Sequence, residues 1–136
     1  MLLLTQPVYS FGQVSNHNKP CRTEVDSLTK QLVYVAADVE PKNEGGDAAL
    51  RKKIEKNIIT DLTIDTENYE SKVIVAFIVD TDGSIKGCRV IKDKTNKVGQ
   101  QMLDIVKSFK WTPAKCDNKN VAMIYQIPLI LDPEEQ

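Results

Sequence analysis

Two kinds of apolar spacing alternate along the chain. The run VIVAFIVD (73–80) is apolar at nearly every position, the pattern of a strand covered on both faces. The turn DTDG, which begins at Asp80, joins it to SIKGCRVIKD, so the pair predicts a β-hairpin with Gly83 at the positive φ that a tight turn needs. Upstream, LVYVAADV (32–39) predicts a further strand, closed by Glu40-Pro41. Leu50, Ile54 and Ile58 recur at helical spacing and predict a helix over about 47–59, capped by Asp47, whose apolar stripe reads as core. Val98, Met102, Ile105, Val106 and Phe109 predict a second helix over about 97–109, capped by Asn96 and stopped by Pro113. The turn CDNKN then leads to a last strand, 121–131, which holds Pro128 near its end.

That proline decides where the last strand belongs. Proline has no backbone N–H to give to a ladder and is confined to edges, strand starts and bulges. A right-handed crossover from the hairpin through the second helix sets 121–131 antiparallel beside 73–79. The expected fold is therefore α+β. A three-stranded antiparallel sheet, with central strand about 73–79, hairpin strand 84–91 and edge strand 121–131, packs on the two helices, with an extra N-terminal strand near 32–39. Trp111 is expected as a core plug where helix and strand meet. Residues 14–31 are polar and aperiodic and read as a flexible tail. Residues 1–13 resemble the rear half of a secretory signal peptide, which makes the chain an exported one whose folded domain spans 32–132.

Composition narrows the function. With 136 residues, 41% hydrophobic and 27% charged, the chain fits one domain with a core of ordinary size. A net charge of −1, with lysines scattered among acids, gives no basic stripe for nucleic acid. No apolar run approaches the ~20 residues of a bilayer span, so stable membrane insertion is not expected. The three cysteines form neither an even-numbered framework nor the close pairs of a zinc site, so no metal is expected. Cys88 alternates with Val90 as a small apolar residue; Cys21 and Cys116, both in turn-rich surroundings, stay open between pairing in an oxidising compartment and remaining free.

Catalytic chemistry is thin. The one histidine, His17, lies in the tail, and NEGGD lacks both the spacing and the lysine of a phosphate cradle. Asp61, Asp65, Glu67 and Glu70 fall in a polar stretch with nothing to desolvate one of them. Asp80 and Asp82 do not open a calcium loop, because Ile85 and Ile91 stand where that loop needs glycine and glutamate. The expectation is a non-enzyme without cofactor.

Three linked stretches carry a resemblance. VYVAADVEPKNEGGDAALRKKIEKNI, VIVAFIVDTDGSIKGCRVIKD and IVKSFKWTPAKCDNKNVAMIYQIPLIL resemble, in order, the first strand and helix, the V-D-x-D-G-x-I hairpin, and the W-x-P turn with terminal strand of the TonB C-terminal domain family. Glu44 replaces the usual proline before Gly-Gly, and NIITDLTI replaces the usual Tyr-Pro; an inner-membrane helix and a Pro-rich spacer like those of a transducer are not seen. The resemblance implies a periplasmic module that binds an extended segment of a TonB-dependent outer-membrane transporter by adding it to its last strand. It places partner binding on Val121, Ala122, Met123, Ile124, Tyr125, Gln126 and Ile127. The alternative is a self-associating envelope protein whose edge is covered by a second copy, as in a homodimer, or by its own N-terminal strand.

Overall fold

The computed structural model describes residues 21–58, 71–94 and 97–131. The calls on 1–13, His17, residue 59, Asp61, Asp65, Glu67, Glu70 and Asn96 lie outside them.

The doubly apolar run forms β4 (Ser71–Val79), and Val73 and the residues from Val75 to Val79 are all buried. It lies between β5 (Ile85–Lys92) and β9 (Met123–Leu131), antiparallel to both, as the sequence predicts. Asp80 N–H donates to the Ser84 carbonyl and Gly83 N–H to the Asp80 carbonyl, closing the β4–β5 turn with Gly83 at φ 87°. On one face Val73, Val75, Phe77 and Val79 meet Ile127 and Leu129 of β9 and the two helices. From α1 (Gly46–Asn57) come Leu50 and Ile54, with Ile58 at its end; from α2 (Val98–Ser108) come Val98, Met102, Leu103, Ile105 and Val106.

The helix starts differ from expectation. Gly45, at φ 86°, occupies the N-cap of α1, and Asp47 falls in the first turn, where its charge favours the helix dipole without capping it. At α2 the Asp93 carboxylate accepts the Gly99 N–H at 2.7 Å, so the cap comes from the end of β5.

The expected three-stranded antiparallel sheet is corrected to a five-stranded mixed sheet of order β1-β2-β9-β4-β5. Here β2 (Leu32–Ala36) runs parallel to β9, and β1 (Arg22–Val25), inside the stretch read as a tail, pairs antiparallel with β2. All four β1 side chains are exposed, so no apolar alternation marked this strand. The last strand also divides. Val121 ends β8 (Lys119–Val121), which pairs with β7 (Ala114–Cys116) through a turn whose Asp117 and Asn118 both have positive φ, and β9 starts at Met123. A two-residue ladder joins β3 (Lys42–Asn43) to β6 (Trp111–Thr112).

Candidate functional site

The edge call on 121–131 needs its own correction. β9 is paired with β4 along its full length, in unbroken register from Met123↔Val79 to Leu131↔Ser71. On its other side it meets β2 at one bridge, Tyr34↔Met123, where the Tyr34 N–H donates to the Ala122 carbonyl at 2.8 Å. The chain's own N-terminal strand thus takes the start of the predicted edge. Because backbone groups alternate sides along a strand, the outward carbonyl of Ala122 puts those of Ile124, Gln126, Pro128 and Ile130 on the same outer side. Among the described residues no strand pairs that side from Gln126 to Ile130. The missing N–H of Pro128 falls there, which is why a proline fits within a strand fully laddered to β4.

The seven predicted binding residues therefore part company. Val121, Ala122 and Met123 are buried, and Ile127 is fully buried in the core. Ile124 and Tyr125 are half-buried, and Gln126 is exposed. Sequence reasoning missed Pro128 (half-buried) and Ile130 (43% exposed), which continue the open side. The other long edge, β5, is less available. Its ladder with β4 shifts register twice, and Lys86 and Arg89 turn their side chains onto Asp80 and Asp26. Both cations are thus paired within the chain.

Tyr125 stands beside the open stretch and joins it to the core. Its ring packs edge-on against Phe77 and Trp111, at centroid distances of 6.0 and 6.2 Å. Trp111, 8% exposed, donates its Nε1–H to the Val106 carbonyl at 2.9 Å and fills the junction of α2, β6 and the sheet, as predicted. Burial, then the nearby Glu40 and Asp47 carboxylates, raise the Tyr125 phenol above its ordinary value and keep it neutral. Desolvation also raises Glu40, with Asp47 adding to it, and raises Asp47 itself against the pull of Lys42 and Arg51.

Little in the described residues can carry out a reaction. Burial raises the half-buried Cys88 thiol, the opposite of an activated nucleophile. A groove of ≈ 270 Å³ between the helices, lined by Lys53, Asn57, Gln101 and Asp104 among others, contains no histidine and a single carboxylate. Cys21, Asp38 and Cys116 stand close enough to suggest ligands, but the two cysteines are bonded to each other in a disulfide. That pairing, left open by the sequence, joins the start of β1 to the end of β7, with Cα atoms 6.3 Å apart.

The fold and site define an α+β domain with a partly open sheet edge and no assembled catalytic group among the described residues. The family described as Gram-negative bacterial TonB protein C-terminal matches residues 64–130, so this stretch is a TonB C-terminal domain. Comparison with curated proteins and with solved structures gave no match. Domains of this family are non-catalytic and periplasmic and interact with TonB-dependent transporters. The matched stretch begins after α1, so the β1–β2 hairpin, β3 and α1 lie outside it. Among the described residues no helix is long and apolar enough to cross a membrane.

Proposed function

We propose that this chain is a non-enzymatic, periplasmic protein-binding module that takes an extended segment of a TonB-dependent outer-membrane transporter, or of another envelope protein, by strand addition to β9. The observation that carries this reading is the outer side of β9 from Gln126 to Ile130, without a strand partner among the described residues, in a TonB C-terminal frame. An incoming strand would find the N–H and C=O of Gln126, the C=O of Pro128, and the N–H and C=O of Ile130. Of the seven positions named from the sequence, Ile124, Tyr125, Gln126 and Ile127 border this opening; Val121, Ala122 and Met123 lie where β2 already sits.

A second reading, self-association through the same edge, draws on the fact that the chain already pairs its own N-terminal strand with the start of β9. Titrating amide-resolved protein with N-terminal peptides of TonB-dependent transporters separates the two. Shifts centred on Gln126–Ile130, lost in Gln126→Pro, would support strand addition, because that substitution removes one outward donor and leaves the β4 ladder whole. No shift at millimolar peptide, together with a concentration-dependent dimer in sedimentation, would replace it with the second reading.

A further inference from the structure

The β1–β2 hairpin does more than extend the sheet. It is a strap with two feet on one short segment. Its first foot is the Cys21–Cys116 disulfide. Its second follows β2, where the Asp38 and Val39 N–H groups donate to the Lys115 carbonyl and the Lys115 N–H donates back to the Val39 carbonyl. Between the feet the strap crosses the back of the sheet, burying Val33 against Ile78 and Ala122, and its turn reaches β5. There Asp26, 7% exposed, accepts two hydrogen bonds from the Arg89 guanidinium at 2.8 and 2.9 Å, and two more from the N–H and hydroxyl of Thr29.

On the docking strand itself the strap makes little backbone contact, although Val33 packs on Ala122, and Tyr34 and Ala37 lie against the Val121 and Met123 cluster. Tyr34↔Met123 is the strap's one bridge to β9, and no β1 side chain is buried. Yet that bridge takes the Ala122 carbonyl and turns the outward Ile124 N–H toward Tyr34, so it fixes where the open edge begins.

We propose that the Cys21–Cys116 disulfide is a redox latch that sets the length of the docking edge. With the latch closed the edge runs from Gln126 to Ile130; with it reduced, Asp26 parts from Arg89 and Val33 from Ile78, the strap swings on its Val39–Lys115 foot, and the edge lengthens back to Ala122. Reduction requires a dithiol donor. Its thiolate attacks a disulfide sulfur, with Cys21 the less buried of the two cysteines, and Cys116 leaves as a thiolate. The donor's second thiol then displaces Cys21 from the mixed disulfide. Two electrons and two protons pass to the cysteines, and the donor becomes its own disulfide. The consequence for partner length rests on the strand-addition reading, whereas the movement of the strap does not.

Amide hydrogen exchange on the whole chain, oxidised and after dithiothreitol, tests the latch with no partner present. The expected result is exchange faster by about tenfold or more at Tyr34 and Ile124, with Phe77, Tyr125 and Ile127 on the β4–β9 ladder unchanged. Cys21→Ser without reductant should reproduce that pattern. Unchanged rates at Tyr34 and Ile124 in both cases would overturn the latch, because the strap would then stay closed without its first foot. A uniform rise that includes Phe77 and Ile127 would overturn it equally, by making the disulfide a staple of the whole fold. A lengthened edge that still takes no peptide would leave the latch standing and sink the strand-addition reading.

Discussion

Gly83 sits at φ 87°, and a Cβ built there would lie 2.5 Å from the Trp111 carbonyl oxygen. An L-residue therefore meets two separate costs, a left-handed backbone and a collision with a backbone atom that cannot rotate away. Gly83→Ala is expected to lose about 2–4 kcal/mol of stability in urea unfolding, more than backbone strain alone would remove. A loss below ~1 kcal/mol would mean that the turn and β6 can separate cheaply. The first cost was legible in DTDG, whose spacing asks for glycine at that place. The second was not, since Trp111 lies far along the chain, in β6.

Between single elements, β9 and the β1–β2 hairpin show how far a pattern reaches. Pro128 was legible as an edge signal, and its N does face the side of β9 that lacks a strand partner among the described residues. The hydrophobic run could not show that the same side is occupied at its start. Pro128→Ala supplies an outward N–H without touching the β4 ladder, so stability should change by less than about 0.5 kcal/mol. Self-association should rise instead, as a concentration-dependent increase in sedimentation coefficient, because the edge gains a donor. A loss of several kcal/mol would place the proline's N on the β4 side and undo the alternation argued from Ala122. As for the hairpin, Arg22–Val25 has no buried side chain and therefore no period to read.

At the scale of the molecule, contacts far apart in sequence decide what the edge looks like. Arg89 and Asp26, separated by 63 residues, join hairpin to sheet, and the guanidinium holds the Asp26 carboxyl well below the usual carboxylate range against the opposing effect of burial. A carboxyl depressed on folding stabilises the native state fully above its ordinary value and loses that contribution as pH falls below it. The stability difference between wild type and Asp26→Asn should therefore be level above about pH 4 and shrink as pH drops below 3.8, read from denaturant midpoints. About 2 kcal/mol is expected at neutral pH, below the range for a fully buried pair because Arg89 keeps 21% of its side chain exposed. A difference that grew on acidification would reverse the assignment.

The sequence by itself determined the frame. Periodic apolar positions fixed both helices, the doubly covered β4, its hairpin with β5 and the antiparallel place of β9, since each of those signals is local and one turn or two residues long. Turn chemistry fixed Gly83, and the two motifs that fall within residues 64–130 carried the family. Only the tertiary structure decided that β2 lies parallel along the start of β9, that Cys21 reaches Cys116, and that Asp26 meets Arg89. Each of these joins segments remote in sequence through a single bridge, bond or ion pair, and such pairings leave no periodic mark on either partner. The part of the edge left without a strand partner among the described residues is what those long-range contacts do not cover, so its limits could be known only once they were in place.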